Sequence, residues 1–335
     1  MVEWLSLSPE SKRQTIIEAT VATGFQEKAI EKDWWVTLIL KACFLTQWGK
    51  DLVFKGGTSL SKAWGLIERF SEDIDLVMNR EALGFKGELS NTQIRKLREK
   101  TSKFMVTVFM DSLSRSLIEM GVDPKLYKLE VQPGGVADRD PQILELYYHS
   151  FLEPDGYLTE KVIIEIGARS LMEPASARAI HTIIGTALPD RPFSGTPFEV
   201  LTVDPRRTFL EKVFLLHEEF SKPGEKMRHV RMSRHLYDLE RLMDTEFGKA
   251  SMQDRELFDR IVQHRAKYTS IRGIDYNNHA PHRLDFLPPD EVQANWERDY
   301  GLMQRAMIYG KSLSYAALIQ RLEELKHRFR NIDWR

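Results

Sequence analysis

The segment GGTSLSKAWGLIERFSEDIDLVM, residues 56–78, decides the fold. It follows Asp51-Leu52-Val53-Phe54-Lys55, which reads as a short strand. Leu60, Ala63, Trp64 and Ile67 have helical spacing, so a helix is expected over residues 58–69. Residues 71–78 read as the next strand. A glycine pair between a strand and a helix lets the backbone approach a ligand closely. A helix N-terminus adds unpaired N–H groups and partial positive charge. Gly56 and Gly57 therefore form a candidate phosphate cradle, with hydroxyl donors on Thr58, Ser59 and Ser61. Alone, the pair is also what a tight turn with a Ser59 cap would show. The spacing is neither that of a P-loop nor that of a dinucleotide fingerprint.

The two aspartates add a second signal. Side chains alternate along a strand, so Asp73 and Asp75 share one face. Two carboxylates about 7 Å apart on one face repel each other when ionised, and a divalent cation removes that repulsion. Magnesium suits such a site, because it takes few carboxylates and completes its shell with water and substrate phosphates. Manganese is the other ion expected there. A third acid, Glu165, lies in the otherwise apolar run KVIIEIG, residues 161–167. An unpaired charge there is costly. It calls for a metal or for an ion pair with Arg169, and Arg169 could instead clamp a phosphate.

Outward from this segment, helices are expected over residues 9–23 and 27–47, and a long one over 91–120. Residues 126–131, 144–151 and 161–166 read as strands, punctuated by Gly134-Gly135 and Pro154-Asp155-Gly156. The proline-rich stretch 188–196 reads as a linker, and 198–203 as a last strand. Asp204-Pro205 is a strong helix start, and the remainder is helical. Strands do not alternate regularly with helices, which argues for an α+β mixed sheet rather than a doubly wound one.

The totals exclude several classes. At 335 residues, the chain suggests two domains with ample core. A formal net charge of -1 leaves nucleic-acid contact to local patches, such as Arg206-Arg207 and the run Lys226, Arg228, His229, Arg231, Arg234, His235. His229 and His235 do not share a helix face, so no zinc site is proposed there. Cys43 is the one cysteine, which excludes an intrachain disulfide and a cysteine zinc site. No apolar run approaches the ~18 residues of a membrane span. The N-terminus lacks a signal-peptide pattern, so a cytoplasmic location without membrane contact is expected. Trp34, Trp35 and Trp64 read as core rather than as base-stacking platforms.

A glycine pair before a helix, Asp-x-Asp on the next strand and an acid on a later strand resemble the DNA-polymerase-β-type nucleotidyltransferase superfamily. The strings GGTSLSK, residues 56–62, and RFSEDIDL, residues 69–76, resemble its AbiEii/AbiGii toxin branch. Other motifs of that branch are matched by Glu31-Lys32-Asp33-Trp34, by Glu211-Lys212, and by RHLYDL ending at Asp238-Leu239. The resemblance spans residues 27–243.

It implies a polymerase-β-like core over residues 1–200, with residues 201–335 as a helical domain completing the active-site cleft. Gly56, Gly57, Thr58 and Lys62 would hold phosphate, and Ser71 would lie beside metal and triphosphate. Asp73 and Asp75 would bind magnesium, Lys212 would contact the triphosphate, and Asp238 would be an essential acid. The implied reaction moves a nucleoside monophosphate from an NTP to RNA, often the tRNA 3′ end, releasing pyrophosphate. The implied setting is toxin–antitoxin or phage defence, with a winged-helix antitoxin encoded nearby. A protein acceptor, or a non-catalytic binding protein on the same fold, is the alternative. Residue spacing also allows plainer readings. Lys212 sits at the edge of a stripe of Phe209, Val213, Leu216 and Phe220, where a lysine stem can be buried. Arg234, Asp238 and Arg241 share a helix face, as an ion-pair ladder would. Asp73, Glu165 and Asp238 all remain candidates for the general base.

Overall fold

The computed structural model describes residues 1–132, 142–153 and 158–334. The punctuation expected at Gly134-Gly135 and Pro154-Asp155-Gly156 lies outside them. The chain divides into two units: Met1–Trp64 with Phe70–Val203, and Gly65–Arg69 with Asp204–Arg335.

The first unit opens with helix α1 (Pro9–Thr23), capped by the Ser8 hydroxyl and stopped by Gly24 at φ 77. Helix α2 (Glu27–Leu45) is buried on nearly all sides. Trp35 stacks on Tyr148 at 5.1 Å between centroids and meets Trp34 edge-on at 5.2 Å. These two tryptophans are core. Trp64 is only half-buried, and Arg178 covers its ring at 4.1 Å.

The elements that follow are β1 (Leu52–Lys55), α3 (Gly56–Lys62), β2 (Ile74–Met78), α4 (Asn91–Phe104), α5 (Met110–Glu119), β3 (Tyr127–Val131), β4 (Gln142–Tyr148), β5 (Lys161–Gly167), β6 (Ala175–Ile180), α6 (Ile183–Ala187) and β7 (Phe198–Val203). The strands form one sheet in the order β3-β4-β5-β2-β1-β7-β6. The pairs β2–β5 and β1–β7 are parallel and the others antiparallel, so the sheet is mixed and the fold is α+β. Phe54, Leu76, Ile164 and Ile166 fill one face without exposure. On the other, Val53, Val77 and Val203 form a small cluster beside Met172 and Ala175.

Several local features differ from what the sequence suggests. The helix expected over residues 58–69 stops at Lys62. Gly65, at φ 63, turns the chain away, and Gly65–Arg69 joins the second unit. The stretch 91–120 is two helices joined by a π-helical turn, Met105–Phe109. Strand β6 has few of the β-branched residues that mark strands, and only Ile180 in it is buried. Residues 188–196 remain within the first unit, around a 3₁₀ turn at Pro192–Ser194.

The second unit is built from α7 (Pro205–Phe220), α8 (Ser233–Met243), α9 (Glu246–Gln253), α10 (Arg255–His264), α11 (Asp290–Ala306) and α12 (Tyr315–Arg330). Asp204 caps α7 by accepting from Arg206 N at 2.8 Å. Aromatic pairs tie the helices together: Phe209 with Phe329, Phe214 with Phe258, and Phe220 with Trp296. Gly65–Arg69 is woven into this unit, with Arg69 bridged to Ile308 and Tyr309 N donating to Glu68 O. Among the described residues no helix is long and apolar enough to cross a membrane.

Cys43 is fully buried, and burial pushes its thiol well above the ordinary range. Thiol reagents at neutral pH should therefore label it only as the first unit unfolds. Rapid stoichiometric labelling of the native protein would contradict this placement.

Candidate active site

Gly56 adopts φ 78, which favours glycine over any residue with a Cβ. A Cβ built there would lie 1.9 Å from Asp75 Oδ2 and 2.8 Å from its Cγ. The glycine turn is thus built against the Asp75 carboxylate. Strand register extends the group. Asp75 is the partner of Lys55 across β1 and of Glu165 across β5. Neighbouring strands lie about 4.8 Å apart. Lys55, Asp75 and Glu165 therefore stand in a row on one sheet face, with Asp73 just before β2. Lys55 was missed by sequence reasoning. It directly precedes the glycine pair, but only strand pairing shows that it sits opposite Asp75.

Several expected phosphate donors have work inside the first unit. Thr58 is fully buried, and its hydroxyl donates to the Asp73 carbonyl at 2.5 Å. The Ser71 hydroxyl lies 2.9 Å from it. Ser59 is also buried and donates to Gly56 O at 2.8 Å. Ser61 donates to Thr58 O at 3.1 Å. These hydroxyls tie the glycine turn to the aspartate segment. Lys62 forms a buried ion pair with Asp33, whose other oxygen accepts from Ile183 N at 2.7 Å. Gly57 is the second residue of α3, and Arg169 lies half-buried two residues past β5.

Among the described residues no group of three or more His, Cys, Asp and Glu side chains is arranged to hold a metal. The donor chemistry nevertheless suits a hard divalent cation. Asp73 and Asp75 carry carboxylate oxygens of the kind such a cation takes, and Asp75 stands against a turn that admits no side chain.

In the second unit, Lys212 on α7 and Asp238 on α8 come together with Arg69. Arg69 grips Asp238 with two hydrogen bonds, Nε to Oδ1 at 2.7 Å and Nη2 to Oδ2 at 2.8 Å. The Lys212 ammonium lies 2.8 Å from Asp238 Oδ2. All three are almost wholly buried. Burial pushes the Asp238 carboxyl up, but Arg69 and Lys212 outweigh it and hold the group well below the ordinary carboxylate range. Burial pushes the Lys212 ammonium down, against the pull of Asp238. His235 Nδ1 lies 3.3 Å from Lys212 Nζ. Burial, and then the Lys212 charge, keep His235 neutral.

The spacing of Arg234, Asp238 and Arg241 allows a helix-face ladder, but Asp238 and Arg241 also pair at longer range. Asp238 turns to Arg69 and Lys212, and Arg241 pairs with Glu68 at 3.0 Å. A fully buried carboxylate outbids the weak pairing available on a helix surface. The basic patches are also partly answered: Arg206 by Asp204, Arg207 by Glu211, and Arg228 by Glu219.

Residues 38–331 match the family described as nucleotidyl transferase AbiEii toxin, type IV toxin–antitoxin system. The chain belongs to the AbiEii toxin family. It is accordingly a nucleotidyltransferase, and its family setting is a toxin–antitoxin system. Among solved structures, JHP933 from Helicobacter pylori is similar at 16% identity, covering 90% of this chain and 97% of that one, with a TM-score of 0.38. A candidate nucleotidyltransferase from H. pylori is similar at 15% identity, covering 83% and 99%, with a TM-score of 0.36. No curated protein matches. AbiEii membership covers the glycine turn, both aspartates, Lys212 and Asp238, but not Glu31, Lys32 and Asp33.

Two substitutions test these placements. Gly56→Ala must displace the Asp75 carboxylate, so activity should fall by about a hundredfold, as for a displacement of about 1 Å. Asp238→Asn leaves two buried cations without their carboxylate and should destabilise the protein by about 3–5 kcal/mol in denaturant titrations. The native pKa of Asp238 is depressed, so its stabilisation is present above the unfolded value of about 3.9 and is lost as pH falls. The variant should then lose stability less steeply than the parent on acidification.

Proposed function

We propose that the chain is a magnesium-dependent nucleotidyltransferase toxin that moves a nucleoside monophosphate from an NTP to the 3′ end of an RNA, with tRNA as the acceptor and pyrophosphate released. The observation that carries this reading is the contact between the Gly56 turn and the Asp75 carboxylate. It sets the backbone of a glycine turn against a hard-oxygen donor, which supports a phosphate and metal site there. The AbiEii family supplies nucleotidyl transfer and the antitoxin setting. The metal, the RNA acceptor and a winged-helix antitoxin encoded nearby are our own extension.

In this reading Asp73 and Asp75 hold the divalent cation, with Glu165 in register beside Asp75. The bound cation would supply charge stabilisation on the reacting phosphate. The turn at Gly56 and Gly57 presents backbone N–H groups to the triphosphate, and the half-buried Lys55 adds a positive charge on the same sheet face. Positioning and electrostatics carry most of the catalysis, as in other phosphoryl transfers. The attacking hydroxyl passes its proton to Asp73 or Glu165. Asp238 is unsuited to accept it, because both its oxygens are engaged and it stays ionised. Its role is to hold the Lys212 ammonium in place.

The test is to incubate the protein with each α-labelled NTP, magnesium, and either total tRNA or a protein extract. Label is expected in the RNA and should vanish in a folded Asp73→Ala variant. Label in protein alone would move the acceptor to a polypeptide. Unimpaired labelling by Asp73→Ala would remove the metal assignment.

A further inference from the structure

Glu31, Lys32 and Asp33 are consecutive on α2 and are 1%, 2% and 3% exposed. Consecutive helical residues point about 100° apart, so the three charges face three sides of the helix. Each meets a different segment of the first unit. Glu31 accepts from the Ser150 hydroxyl at 2.6 Å and from Phe151 N at 3.2 Å. Lys32 pairs with Glu72 and donates to Thr159 O at 2.9 Å. Asp33 pairs with Lys62 and accepts from Ile183 N.

Two of these segments border the candidate site. Lys62 ends the helix that the Gly56 turn opens, and Glu72 immediately precedes Asp73. Between them the chain leaves the first unit at Gly65 and returns at Phe70. The ion pairs thus fasten the points of departure and return. Apolar residues of similar volume would often stabilise a core as well or better, so such buried pairs are better suited to fixing position than to adding strength.

We propose that Lys32 and Asp33 are positioning residues that clamp the glycine turn and the Asp73–Asp75 pair in register through Lys62 and Glu72. This rests on the reading of Asp73 and Asp75 as the metal-binding pair. The deciding variants are Glu72→Gln and Asp33→Asn, with Lys32→Met/Glu72→Leu as an apolar pair that needs no buried charge. For each, the fraction folded, kcat per folded molecule, the KM for NTP, and Mn2+ affinity by isothermal titration calorimetry are measured.

Because displacements of about 1 Å can cost about a hundredfold, kcat per folded molecule should fall at least about tenfold in the variants that fold, the apolar pair included. The KM for NTP should change less than kcat. Mn2+ affinity should weaken in the Glu72 variants. Exchange to Lys32→Arg/Glu72→Asp, which keeps the reach of the pair, should recover much of the activity lost by Glu72→Asp alone. A folded apolar pair with full kcat and unchanged Mn2+ affinity would overturn the proposal and reduce the clamp to ordinary core packing. If the parent itself transfers no label to any acceptor, the reading of its reaction fails, and Mn2+ affinity alone still decides the clamp: weakened supports it, unchanged overturns it.

Discussion

An ionised side chain placed in an apolar core must be met by an opposite charge or by hydrogen bonds, or the fold pays a large penalty. The first unit is organised around that constraint. Its central helix passes through the core with Glu31, Lys32 and Asp33 buried, and each is answered by a different segment. The apolar side chains of the helix supply burial without direction. The charges supply direction, because an ion pair forms only where its partner stands. Segments distant in sequence are thereby tied to one helix.

What this scaffold holds is a close approach of backbone to carboxylate. Asp75 lies where the Cβ of any residue other than glycine at position 56 would be. The turn and the strand are therefore one unit of structure, joined further by the Thr58 hydroxyl on the Asp73 carbonyl. Sheet pairing then sets Lys55 and Glu165 on either side of Asp75. A cation, a carboxylate and a second carboxylate on one face form an electrostatic arrangement that a ligand bearing both metal and phosphate would satisfy.

The second unit solves a similar problem with other parts. Asp238 is enclosed, and Arg69 and Lys212 keep it charged. Arg69 reaches it because Gly65–Arg69 is folded into the helical unit, although Phe70 returns to the first. The arginine of the RFSEDIDL string and the aspartate of the distant RHLYDL string are thus partners in one buried network. Their side chains are held by each other, which accounts for a lysine, an arginine and an aspartate surviving almost without solvent.

Local chemistry was enough to read the α+β class and the strand–glycine–glycine–helix order, whereas the strand expected from residue 71 begins only at Ile74 and leaves Asp73 just before it. The class and the order depend on periodicity, on turn residues and on alternation, which act over a few residues. The length of the helix after the glycines was misread, because Trp64 and Ile67 continue its spacing while Gly65 ends it. The partners of Lys62, Arg69 and Asp238 were not readable either. Lys62 and Arg69 are long side chains with several acids within reach, and for Asp238 sequence spacing favours the arginines on its own helix. By itself the sequence determined which residues could bear phosphate, metal and charge. Only the tertiary structure decided which of them are spent on one another, because desolvation makes a buried pair across the fold far more demanding than an exposed pair along a helix.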